Sequence, residues 1–159
     1  MKSFGSLAAF AAHLVKLEVD VARAAHRGLE SAAIAVEKTA KNQFGHYPRA
    51  IGDFEQWPPL KEATKADRVR QGYSPDEPLL RSGALRDSIT HEVRGLDAVI
   101  GSEHEVMVHQ ELGTSTIPPR PVLGPAALRN RRKIQRMLGH AAASAIAGTT
   151  QLPKYDFET

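Results

Sequence analysis

The sequence contains no cysteine, which removes disulfide frameworks, thiolate metal sites and cysteine nucleophiles together. That composition is compatible with a reducing cytosol. Aromatic residues are scarce, at 6% with a single tryptophan. No window approaches the roughly 18 apolar residues of a membrane span, and the mean hydropathy is −0.34. The alanine-rich start is interrupted by Lys16, Glu18 and Asp20 with no convincing cleavage site after it, so it reads as a non-exported N-terminus. Phosphate-loop, dinucleotide-fingerprint and nucleophile-elbow motifs are all missing, and Ser82-Gly83 and Ser102 stand outside any such context.

What is present fits one domain over residues 1–159, 42% hydrophobic and 25% charged. The net charge of +3 is unevenly spread. Residues 1–45 carry +2, residues 46–120 carry −3 and residues 121–159 carry +4. A contact with nucleic acid or an acidic partner is therefore expected in the C-terminal segment.

Residues 6–41 read as one long helix. Leu7, Phe10, Leu14, Leu17, Val21, Ala25, Gly28, Ala32 and Ala35 form its apolar stripe. Ser3 or Ser6 can cap the start, and Gly45 follows the end. The stripe changes midway from large residues to alanine and glycine, which suits close helix packing. A helix of roughly 50 Å outruns a small core, so it either meets a neighbouring subunit or forms a hairpin with the C-terminal helix. Residues 45–78 form a long loop or arm, punctuated by proline and glycine, with a helical piece within 60–70. There Trp57, beside Phe54, either anchors the loop on the core or meets a partner.

A helical turn is expected within 79–88, then strands over 89–93 and 98–102 joined at Gly95-Leu96-Asp97. A short helix over 106–112 ends at Gly113. Pro118-Pro119-Arg120-Pro121 must be extended, leading to an edge strand at Val122-Leu123. Pro125 opens the last helix, Gly148 closes it, and a polar tail over 149–159 reads as extended or disordered. The fold class is thus α+β: a long N-terminal helix, a small antiparallel sheet with a long irregular loop, and a C-terminal helix packed on the sheet.

Seven histidines yield no metal-ligand spacing: His104 and His109 are five apart, and His91 lacks a helical partner. Glu103, Glu105 and Glu111 read as a solvated acidic rim as readily as a carboxylate pair. No catalytic, cofactor or metal site is nominated. On the last helix Arg129, Arg132, Lys133, Arg136 and His140 share one face, opposite Ala127, Ile134, Leu138, Ala141 and Ala145. Residues 125–148 hold five Lys/Arg and no acid. This face can track phosphates, meet an acidic neighbour or stay solvated, and without interleaved aromatics it is no single-strand stacking platform.

One ordered series stands out: Trp57-Pro58-Pro59-Leu60 with Thr64, Leu79-Leu80-Arg81-Ser82-Gly83-Ala84-Leu85-Arg86-Asp87-Ser88-Ile89, Val99-Ile100-Gly101-Ser102, Val108-His109-Gln110-Glu111-Leu112-Gly113-Thr114 and Pro118-Pro119-Arg120-Pro121-Val122-Leu123. Over about residues 54–125 it resembles the neck and tail-completion proteins of long-tailed bacteriophages, including the virion-morphogenesis proteins of Mu-like phages and related prophages. That family has a Val-Gly-type strand end, a "hEfGT"-like turn and a "PPRPFL"-like segment before the last helix. Leu112 and Val122 stand where aromatics are common there, and both stay apolar.

The resemblance implies a non-enzymatic virion protein, made in the host bacterial cytoplasm and assembled at the head–tail junction. It implies a homo-oligomeric ring around the DNA channel, a hexamer by family expectation, between the head connector or stopper and the tail terminator or tail tube. A tail terminator or other connector ring is the nearest alternative. A DNA-binding module using the basic helix is the alternative from another class. Subunit contacts are expected at Trp57, His109, Glu111, Gly113, Pro118, Pro119, Arg120 and Pro121. Packaged DNA or an acidic partner is expected at Arg129, Arg132, Lys133 and Arg136. Within this picture residues 113–123 lie across a neighbour, with Arg120 projecting to Glu103, Glu105 or Glu111 there.

Overall fold

The computed structural model describes residues 4–148. Its first element, α1 (Leu7–Lys41), is a 35-residue helix. The Ser6 hydroxyl caps it by accepting from the Ala9 N–H at 3.1 Å. Lys38 and Lys41 occupy the last turn, where the helix dipole favours cations. Then follow α2 (Glu62–Arg70), α3 (Ala84–Asp87), β1 (Ile89–Arg94), β2 (Asp97–Ser102), α4 (Glu105–Leu112) and α5 (Leu123–Ile146). The architecture is α+β, with one two-stranded antiparallel sheet among the described residues. Arg94 pairs with Asp97, so Gly95 and Leu96 make a two-residue turn. Gly95, at φ 61°, supplies the positive φ such turns need.

The long helix α1 is the spine. Its second half carries α5 on one side and the hairpin on another. The C-terminal helix therefore packs chiefly on α1, where the sequence reading set it on the sheet. The small residues explain the close fit: Ala24, Ala32, Ala33 and Ala35 are buried, and a β-carbon at Gly28 would sit 3.2 Å from that of Ala141. A hydrogen bond from Asn130 Nδ2 to Thr39 Oγ1, 2.8 Å, pins the crossing. The buried face of α5 runs through Ala126, Asn130, Met137, Ala141 and Ala145. Ala127, expected inside, is exposed. Asn130 can lie inside because its amide also donates to the Ala126 carbonyl at 2.9 Å.

The main core gathers Val36 and Ala40 from the end of α1 and Phe44 from the turn after it with Trp57, Ile89, Met107, Val122 and Ala126. A second cluster joins Ala24 to Ala141 and Ala145, with Val21 packed against it. Because α5 ends there, residues 7–20 of α1 run on past it by about 20 Å. Leu7 is 83% exposed and Val15 63%, and Phe10, Leu14 and Val19 are also exposed. The hairpin alternative thus holds for the small-residue half of the stripe, and among the described residues the large-residue half extends past α5, with Phe4 packed on Phe10 and His13.

Two local expectations are corrected. Val122 and Leu123 form no strand: Val122 is the cap residue of α5 and Leu123 its first residue. Pro125 accordingly sits third in the helix, where its missing N–H costs nothing because first-turn N–H groups lack intrahelical partners. The tail over 149–159 and the alternative cap Ser3 lie outside the described residues.

Histidines tie the hairpin to the spine. His26 Nδ1 donates to the Gly95 carbonyl at the hairpin tip, 2.9 Å away. His91, on β1, bonds Glu37 through Nδ1 and Glu30 through Nε2, the latter at 3.2 Å. Glu37 also pairs with Lys41 at 2.5 Å. The bond to Glu37 raises the His91 pKa above its ordinary 6.5, against the opposing effect of burial. A raised native pKa gives stability that is complete below pH 6.5 and is lost as pH rises through the native value. Wild-type protein is therefore expected to lose stability relative to His91→Phe as pH rises above about 6.5. Parallel urea titrations across that range check this, and equal slopes for the two proteins would refute the assignment.

Candidate functional site

The proline arm folds back on its own chain. After α4, Gly113 at φ 75° reverses the backbone, and a β-carbon there would meet the Pro119 ring at 3.0 Å. Thr114 N–H donates to the Ile117 carbonyl at 2.8 Å, and Arg120 N–H to the Gln110 carbonyl at 2.6 Å. The segment thus docks beside α4 of the same chain. This corrects the picture of an arm projecting onto a neighbour.

Glu111 has a different task from the one expected. One carboxylate oxygen accepts from Val122 N–H at 2.7 Å, and the pair of oxygens also accepts from Leu123 and Gly124 N–H at 3.1–3.2 Å. A carboxylate from another helix therefore caps α5 and starts it two residues before Pro125. Trp57 is likewise internal: it is buried, and its indole N–H donates to the Pro121 carbonyl at 3.0 Å. It anchors the loop to the arm. Arg120 is only 7% exposed, with Nη2 donating to the Pro58 carbonyl at 3.1 Å. It does not project, and it meets none of Glu103, Glu105 and Glu111. Burial lowers its pKa from the ordinary arginine value, and the guanidinium stays charged. Of the eight expected contact residues, His109 and Pro119 are exposed, while Glu111, Gly113, Pro118 and Pro121 are half-buried.

Between this arm, α2 and α3 lies a cleft of about 750 Å³. Among the described residues its charged lining consists of Lys61, Arg68, Arg81 and Arg120, with no acidic residue. Arg68 donates to the Ser74 and Leu80 carbonyls, and Arg81 pairs with Asp67 at 2.9 Å. Arg120 Nε and Gln110 Oε1 are buried without hydrogen-bond partners among the described residues. Leu79, on the wall, holds φ 60°, a strained conformation for a side chain of its size.

No protein-family model, curated protein or solved structure matches this chain.

The basic face of α5 lies away from the cleft. Arg129, Arg132 and Arg136 are exposed and Lys133 is half-buried. Arg129 Nη2 donates to the Arg49 carbonyl at 2.6 Å, which directs it along the loop. Among the described residues no group of three His, Asp or Glu side chains is set to hold a metal. Nor is any helix there long and apolar enough to cross a membrane. The cap by Glu111 and the buried cation Arg68 escaped sequence reading. Both act across turns whose geometry leaves no periodic trace.

Proposed function

We propose that the chain is a structural virion protein of a tailed phage or prophage: a neck or tail-completion component in a homo-oligomeric ring at the head–tail junction. The observation that carries this reading is the ordered series over 57–123, whose pieces form a loop, a helical turn, a hairpin, a short helix and the arm. Self-association is supported by the exposed apolar side chains at the start of α1, among them Leu7, Leu14 and Val15. The exposed arginines of α5 suit a surface beside packaged DNA, and the contacts of a neck ring would be the head connector or stopper and the tail terminator or tube.

Purified particles are expected to contain the protein, and a knockout is expected to leave filled heads and free tails unjoined in electron micrographs. Joined, infectious particles from the knockout would refute the reading. A DNA-binding module is the second reading, favoured by the acid-free α5 face. It predicts that the isolated protein binds duplex DNA with an affinity falling steeply with salt, and that replacing Arg129, Arg132 and Arg136 flattens that slope.

A further inference from the structure

We propose that the cleft between the proline arm, α2 and α3 receives the C-terminal segment 149–159 of a second copy of this chain, with Asp156 or Glu158 seated on Arg120. This rests on the self-association proposed above and names its mode.

Charge points to the occupant. Among the described residues the cleft is lined by four cations and no acid; Arg81 is paired with Asp67, whereas Arg120 is buried with Nε unpartnered and its one side-chain bond going to the Pro58 carbonyl. Leaving a buried cation uncompensated is costly, and a carboxylate hydrogen-bonded to it relieves that cost. Gln110 Oε1, an unpartnered acceptor lining the same cleft, calls for a donor. A peptide supplies both needs, a side-chain carboxylate and a backbone N–H, whereas a free inorganic anion supplies one. The segment 149–159 alternates Tyr155, Asp156, Phe157 and Glu158 after Pro153, with Lys154 its one cation. The cleft walls offer Pro58, Pro59, Leu79 and Ile117 for the aromatic side chains.

Reach points to a second copy. The cleft lies just before the start of α5, and the segment leaves from its far end. The 24 residues of α5 set these ends about 36 Å apart. Asp156 follows Gly148 by eight residues, which span at most about 29 Å when fully extended. Glu158 would reach only as a straight line laid back along α5. A neighbour's segment meets no such limit. Each copy would then offer a tail on one side and a cleft on another, a head-to-tail contact that closes into a ring when the rotation allows.

The test uses full-length protein with p-benzoylphenylalanine in place of Phe157. Light and 15N-labelled copies are mixed in equal amounts, irradiated and mapped by mass spectrometry. Cross-links to peptides containing Lys61 or Arg120 are expected, about half of them joining light to heavy chains as random pairing between copies requires. The double variant Asp156→Asn, Glu158→Gln is expected to weaken self-association in sedimentation equilibrium about tenfold or more while its thermal melt followed by circular dichroism stays that of wild type. Cross-links confined to chains of one isotope, cross-links elsewhere, or unchanged association of the neutral variant would overturn the proposal. Those outcomes leave the neck reading intact, and absence from virions would overturn that reading while leaving a trans cross-link standing.

Discussion

Replacing Glu111 by alanine is expected to destabilise the protein by about 3 kcal/mol. The residue is half-buried on α4, and its carboxylate is the acceptor for three consecutive backbone N–H groups at the start of α5. Loss of a helix cap costs about 1 kcal/mol, and hydrogen bonds to a charged group are worth about 1.5–3 kcal/mol. The freed donors at 122–124 sit beside buried Val122 and Ala126, where water does not fully replace the lost acceptor. For a chain of this size the melting midpoint should fall by about 6–12 °C. Glu111→Gln keeps an acceptor oxygen without the charge and should lose about half as much. Glu103→Ala, a change at an exposed acid, serves as the reference and should stay within about 0.5 kcal/mol of wild type. Thermal melts followed by circular dichroism decide the matter: a Glu111→Ala midpoint equal to that of Glu103→Ala would dismiss the cap.

The larger loss is expected at Trp57, where Trp57→Ala should cost about 4 kcal/mol. Its indole is buried in the main core with Phe44, Ile89, Met107 and Val122, so truncation leaves a cavity there. It also joins the 45–60 loop to the arm through the Pro121 carbonyl. Trp57→Phe separates these two contributions, since it keeps most of the apolar volume and deletes the N–H, and should cost about 1–2 kcal/mol. Because Trp57 is the single tryptophan, wild-type unfolding can be followed by its emission shifting red, and the variants by circular dichroism in urea. A Trp57→Ala midpoint close to wild type would mean that the loop docks without its anchor.

Much of this fold is legible in the sequence, where a repeating pattern writes it. The helical stripe from Leu7 to Ala35 marks α1, and the switch to small residues marks where α5 approaches. Gly95, Gly113 and Gly148 mark chain reversals that each take a positive φ. What escaped reading was set by contacts between distant segments. Charge alone placed Arg120 and Glu111 outside, because isolated ions prefer water. One is held inside by the Pro58 carbonyl and the other by three amide donors, partners that only the folded chain brings near. Asn130 hides on a face that periodicity gives to Ala127, because a bond to Thr39, 91 positions away, satisfies its amide. The edge strand at Val122-Leu123 failed for the same reason: an acceptor from α4 let the helix begin early.

The pairing of α1 with α5 also sets an order of events during synthesis. Gly28 and Ala24 wait for Ala141, more than 110 positions downstream, so the first helix leaves the ribosome long before the surface that covers it exists. At 5–20 residues per second that interval is about 5–20 s. Closing so wide a loop is slow compared with forming either helix alone. During that time the hairpin can dock on α1 through His26 and His91, while the alanine–glycine face stays open to water. Nascent chains are therefore most prone to mispairing with one another in this window, and a chaperone that shields apolar helices would act then.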